Sequence, residues 1–122
     1  MTVNDPTPDL EVVLENIARI ERFVAGCDEE SFRNNEQVVF AVQYASLLMR
    51  AAVDRLGEWT EVFQLEVPWR DRAAACTELT PANGQVDPGV VWQMISADLA
   101  RLQWSAMLAL NQLEGSDEVE SR

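Results

Sequence analysis

The chain of 122 residues contains no histidine and no lysine, and it has only two cysteines, Cys27 and Cys76. Without histidine, acid–base catalysis through an imidazole is excluded, and this is the side chain that most often moves protons near neutral pH. Two cysteines without a histidine make no zinc ligand set, and no glycine-rich loop is present to hold a phosphate. We therefore expect neither a metal nor a cofactor.

Positive charge is also scarce: all nine basic residues are arginine, and 21 acidic residues bring the formal net charge to −12. Because nucleic-acid affinity depends largely on neutralising phosphates, such a surface disfavours RNA or DNA unless a local arginine patch overrides it. No apolar run approaches the ~18 residues that a membrane span needs. The first ten residues lack the basic and apolar regions of a secretory signal, so we expect reduced cysteines, a cytoplasmic location and no membrane.

Glycine and proline number only five each, and they lie between segments with helical periodicity. This pattern predicts an all-α protein, an antiparallel helical bundle of four to five helices in a single domain over residues 1–122. Residues 1–7 and 116–122 are expected to be loose tails.

The helix boundaries follow from capping residues and apolar spacing. Thr7 is predicted to cap a first helix with Pro8 at its first position, and Gly26 to end it. Asp28 caps a short turn through Phe32, and a second long helix runs from about Asn35 to Leu56, before Gly57. A third helix runs from Pro68 to about Leu79. Asp87 and Pro88 open the last helix, which Gly115 ends. Residues 58–66 show no clear period.

The stretch from Val67 to Trp92 carries the strongest pattern in the chain. It begins with Pro68-Trp69-Arg70-Asp71 and closes with Val86-Asp87-Pro88 and Trp92. These two ends resemble the HepT-like branch of the HEPN ribonuclease family. Between them the family usually carries Arg-Asn-x-Leu-x-His-x-Tyr, which is its catalytic signature. The resemblance implies a HEPN-like helical bundle, with Pro68, Trp69, Asp87 and Trp92 as structural anchors.

Counting from either anchor gives the same register without a gap. Leu79 matches the family leucine, and the positions that differ are Cys76 for arginine, Thr77 for asparagine, Pro81 for histidine and Asn83 for tyrosine. Cleavage of RNA through the 2′-hydroxyl needs a proton-transfer group and a cation for the phosphate, and none of these four supplies either. We therefore expect no intact catalytic residue at these positions.

Two arginines lie close to the degenerate motif in sequence. Arg70 and Arg72 are candidates for residual phosphate contacts, although salt bridges or solvation explain them as well, with Asp71 between them. Cys76 would need a base to act as a nucleophile, and its burial as a small helix residue is the simpler interpretation.

Three functional hypotheses remain open. The first, implied by the resemblance, is a catalytically inactive HepT-like protein of a toxin–antitoxin type system that forms a homodimer and binds a nucleotidyltransferase-type antitoxin. The second is an active ribonuclease with a non-standard site drawn from Arg70, Arg72, Cys76 or Glu78. The third is an unrelated helical interaction module.

Overall fold

The structure, a computed structural model, describes residues 5–63 and 87–120, and for residues 116–120 it describes the backbone alone. The helices are α1 (Thr7–Phe23), α2 (Glu29–Arg33), α3 (Glu36–Leu56), α4 (Trp59–Val62), α5 (Pro88–Ala97) and α6 (Leu99–Glu120). No strand occurs within these residues, so the predicted all-α class is confirmed. The helix predicted from Pro68 to Leu79 lies outside the described residues.

Helix α1 contacts both other long helices, and two hydrogen bonds fix its direction relative to them. Arg55 Nε, near the end of α3, donates to Asp9 Oδ1, near the start of α1, at 2.8 Å. Gln103 Nε2, near the start of α6, donates to Glu21 Oε1, near the end of α1, at 3.2 Å. Thus α3 and α6 both run antiparallel to α1.

The core is built from apolar stripes at helical spacing. On α1 the fully enclosed apolar side chains are Leu10, Val13, Ile17 and Ile20. The facing stripe of α3 consists of Val39, Val42, Ala45, Met49, Ala52, Val53 and Leu56, and that of α5 and α6 of Val91, Met94, Leu99, Leu102, Ala106 and Ala109. Burying each large aliphatic side chain contributes about 1.5–3 kcal/mol. No helix in the described ranges combines the length and apolarity needed to cross a bilayer.

Several predicted helix ends are confirmed atom by atom. Asp28 Oδ1 accepts from the Ser31 amide at 2.8 Å, and Ser31 Oγ accepts in return from the Asp28 amide at 3.0 Å. Asn35 Oδ1 accepts from the Val38 amide at 3.1 Å and so caps α3. Gly57 follows α3 with a φ of 54°, a left-handed value that favours glycine.

The predicted start of the first helix is wrong by one residue. Thr7 is not the cap: Pro6 holds that place, Thr7 is the first helical residue, and Pro8 takes the second position. The Thr7 amide donates instead to Asp5 Oδ1 at 3.0 Å, so the carboxylate that accepts from the first helical amide lies two residues earlier in the chain. Pro6 is buried and its carbonyl accepts from the Leu10 amide at 3.0 Å, so residues 5–7 belong to the helix start.

The predicted last helix is corrected at two points. It is divided at Asp98, where the backbone reaches φ −111°, although the Asp98 amide still donates to the Met94 carbonyl at 2.9 Å. Aspartate competes with the helix backbone through its own short side chain, which favours such a break. The helix also continues past Gly115 to Glu120, because glycine ends a helix only where it adopts the left-handed conformation. Of the described glycines, Gly26 and Gly57 have positive φ.

Replacing Asn35 with alanine tests the cap of α3. The change removes the acceptor for the Val38 amide, so the free energy of unfolding should fall by about 1 kcal/mol. Urea denaturation followed by circular dichroism measures the loss. Gln37→Ala, two residues on at an exposed helical position, is the matched control and should change stability by less than about 0.5 kcal/mol. Equal effects of the two variants would contradict a capping role.

Candidate functional site

The predicted degenerate site lies outside the described residues. Its positions Cys76, Thr77, Pro81 and Asn83, the neighbouring Arg70 and Arg72, and the anchors Pro68 and Trp69 all fall between residues 64 and 86. The structure describes the border that follows this segment, where α5 begins with Asp87 and presents Trp92 one turn later.

At this border Asp87 begins α5 as the sequence predicted. Its Oδ1 accepts from the Gly89 amide at 2.9 Å, and Pro88 occupies the first position of the helix. A carboxylate at this place accepts a hydrogen bond from an amide that has no partner inside the helix. Its negative charge also interacts favourably with the positive end of the helix dipole. Asp87 therefore has a capping task, which occupies the oxygen facing the helix.

Trp92 joins α5 to α2 by packing. Its ring lies 5.2 Å from that of Phe32, centroid to centroid, with the planes tilted by 42°. Phe32 has no exposed surface, whereas Trp92 is half-buried. A tilted pair at this distance is a favourable arrangement for two aromatic rings. The contact holds the short helix α2 against the border of the predicted site.

A cation that sequence reasoning missed also lies at this border. The Arg33 guanidinium, at the end of α2, approaches Gly89 so closely that a Cβ at position 89 would overlap it. Arg33 Nε also pairs with Glu29 Oε2 at 3.2 Å. The two segments are far apart in sequence, and the one available signal is a glycine in the first turn of a helix, where close approach of a neighbour is a common reason for it.

The described residues contain a shallow groove between α1 and the junction of α5 with α6. Its volume is about 180 Å³, and it is lined by Ile17, Glu21, Ile95, Leu99, Ala100 and Gln103. Glu21 and Gln103 already bond to each other across it. Ligand pockets usually have ~300–1,000 Å³, so this groove is small for a substrate.

In the part of the chain that the structure describes, the carboxylates whose pKa departs clearly from its ordinary value accept hydrogen bonds at helix starts. The amide and side chain of Thr7 lower the pKa of Asp5, and the amide and side chain of Ser31 lower the pKa of Asp28. Both carboxyl groups are exposed, and a lowered pKa keeps them ionised, the opposite of what a general acid needs. Nowhere in residues 5–63 and 87–120 do three or more metal-ligating side chains cluster.

Exposed apolar side chains form a face on each of the long helices α3 and α6. On α3, Phe40, Tyr44 and Leu47 are 51%, 64% and 45% exposed, and on α6, Trp104 and Met107 are 61% and 46% exposed. Sequence reasoning assigned each helix one buried stripe and missed these second faces. Spacings of three and four residues were their signal, and exposed apolar patches of this kind mark interaction sites.

Comparison of the chain with protein-family models, with curated proteins and with solved structures gave no match. The likeness to the HepT-like family therefore depends on the residues of the 67–92 segment themselves.

Acidification tests the capping task of Asp28. Because its pKa is lower in the folded protein, the charged cap stabilises the fold fully above the ordinary value of 3.8, and this stabilisation is lost as the pH falls through the folded-state pKa. Asp28→Asn should lower the unfolding temperature at about pH 6, and the difference from the natural protein should shrink toward about pH 2. Glu11→Gln, an exposed change of the same charge on α1, is the control. A difference that stays constant with pH would contradict the assignment.

Proposed function

We propose that this chain is a HepT-like protein of the HEPN family whose ribonuclease site has degenerated, and that it acts by binding within a bacterial toxin–antitoxin type system. The observation that carries the proposal is the register between the two anchors. In it, Cys76, Thr77, Pro81 and Asn83 replace the arginine, asparagine, histidine and tyrosine of the family signature. Four replacements in one motif remove the cation, the proton carrier and the tyrosine hydroxyl together.

The chemistry of RNA cleavage supports a loss of activity. The reaction needs a group that transfers a proton near neutral pH and a cation beside the phosphate. The chain has no histidine at any position, and its net charge of −12 opposes the approach of a polyanion. Proline at position 81 offers neither a donor nor an acceptor in its side chain.

The described surface supports a role in binding. The exposed apolar faces of α3 and α6 suit contacts with other proteins, and the one groove described above is small for a substrate. Following the family, we propose a homodimer in the cytoplasm and a nucleotidyltransferase-type antitoxin as its partner. Asn83 has no hydroxyl, so the transfer of AMP that modifies the family tyrosine has no acceptor at this position. The partner would then recognise the fold rather than modify it.

Two other functions compete with this proposal. An active ribonuclease with a non-standard site would use Arg70 and Arg72 for the phosphate, and Arg33 adds a third arginine near Asp87. In such a site Glu78 would have to replace the family histidine as the proton carrier, and this requirement makes the ribonuclease the weaker candidate. An unrelated helical interaction module would share the binding role but not the partner, and the lack of matches to known families agrees with it.

Restoring the signature tests the proposal. The natural chain, expressed in bacteria, should neither inhibit growth nor degrade RNA. A variant with Cys76→Arg, Thr77→Asn, Pro81→His and Asn83→Tyr should cleave RNA, because it regains the cation and the proton carrier on the same scaffold. Growth curves and the cleavage of total RNA by the purified proteins are the measurements.

A matched control separates the histidine from the other changes. The same variant with Pro81→Ala in place of Pro81→His removes the proline but restores no proton carrier, so it should remain inert. RNA cleavage by the natural chain at a rate that Arg70→Ala and Arg72→Ala abolish would contradict the proposal and favour the non-standard ribonuclease.

A further inference from the structure

The exposed face of α3 has the spacing of a helix-pairing surface. Phe40, Tyr44, Leu47 and Ala51 follow one another at intervals of four, three and four residues, which places them along one line of the helix. We call these four residues the α3 seam. The opposite side of α3 buries Val42, Ala45, Met49 and Val53 in the core, so the helix is apolar on two sides.

The seam lies in a weakly charged part of a strongly acidic chain. Between residues 37 and 53 the one charged residue is Arg50, whereas the whole chain carries 21 acidic residues. When two copies with a net charge of −12 associate, their repulsion is smallest if they meet through a surface without carboxylates. The neutral seam therefore suits a second copy of the same chain better than a basic partner, because a basic partner would find no carboxylates there to attract it.

The α3 seam matches a second copy of itself that runs in the opposite direction. If a second α3 runs antiparallel about a two-fold axis near Ala45 and Ser46, Tyr44 faces Leu47 and the large Phe40 faces the small Ala51. The same reversal places Glu36 of one copy opposite Arg55 of the other, twice in each dimer, where the Arg55 guanidinium would be shared between Glu36 and Asp9. A two-fold interface requires a surface that matches itself in this way.

The other apolar face does not have this property. On α6, a reversal that places Trp104 opposite Met107 leaves Arg101 opposite Leu110, without a carboxylate to meet it. Like the seam, this face is neutral, since Arg101 is the one charged residue between positions 99 and 113. It is therefore a suitable control surface with similar exposure and charge.

We propose that the α3 seam binds the α3 seam of a second copy, antiparallel across a two-fold axis. This inference gives a surface and a geometry to the homodimer of the proposed function, and it depends on that function only for the existence of the dimer. The seam buries its four side chains between the two copies, and Glu36 of each copy pairs with Arg55 of the other.

Sedimentation equilibrium of the full chain tests the surface with two matched variants. Leu47→Glu and Met107→Glu place the same carboxylate on side chains that are 45% and 46% exposed. Leu47→Glu should raise the dissociation constant of the dimer by at least roughly 100-fold, because it buries two carboxylates in an apolar contact. Met107→Glu should change it by no more than about threefold. Tyr44 is 64% exposed, so Tyr44→Glu should not destabilise the folded monomer. It should raise the dissociation constant of the dimer as Leu47→Glu does.

A charge exchange tests the antiparallel geometry. Glu36→Arg should weaken the dimer, and adding Arg55→Glu, the position opposite it, to the same chain should restore the dissociation constant toward its natural value at unchanged net charge. Circular dichroism confirms that each variant keeps its helices. A monomer at all concentrations up to about 100 μM, a dimer that Met107→Glu disrupts as strongly as Leu47→Glu, or a double variant without recovery overturns the proposal. None of these results bears on RNA cleavage or on partner binding, which test the proposed function separately.

Discussion

The described structure depends on the burial of one side of α1 against two helices at once. Leu10, Val13, Ile17 and Ile20 have at most 1% of their surface exposed, and they meet α3 along one flank and α6 along the other. The single stripe therefore supports both contacts. Hydrogen bonds at the two ends of α1, from Arg55 to Asp9 and from Gln103 to Glu21, set the direction of the neighbours but lie at the surface, where such bonds contribute little.

Because α3 and α6 each bury one side against α1, the opposite side of each helix remains exposed. On α3 that side is the seam, and on α6 it carries Trp104 and Met107. The short helices serve a different purpose: Phe32 of α2 packs on Trp92 of α5, which fixes the border of the segment with the family-like residues. A fold with exposed apolar faces on two of its long helices is suited to contacts with other proteins.

The sequence predicted the elements that depend on local rules. Asp28, Asn35 and Asp87 each begin a helix because a short polar side chain can reach an amide two or three residues on, and such residues are recognisable without any tertiary contact. The buried stripes of α1 and α3 were also predictable, since their spacing of three and four residues is visible in the letters. What these rules could not predict depends on other parts of the fold.

Three features show why the remainder was not predictable. Asp98 divides the last helix without a proline or glycine to signal it, and Gly115 does not end that helix because its backbone never needs the left-handed conformation. Arg33 meets Gly89 through tertiary packing, which no spacing reveals. Phe40 and Leu47 are as apolar as core residues, so only the structure shows that they face outward. Of the candidate site, the described part contains Asp87 and Trp92, and both were identified from sequence.

The most direct test of this account is hydrogen exchange of the backbone amides in the natural protein and in Ile17→Ala. If α1 joins α3 and α6 in one core, removing this buried side chain should cost about 2–5 kcal/mol and lower the protection of amides in α3 and α6 by the same amount. Loss of protection in one of these helices while the other keeps its full value would contradict the account, because the two would then be stable independently of their shared contact with α1.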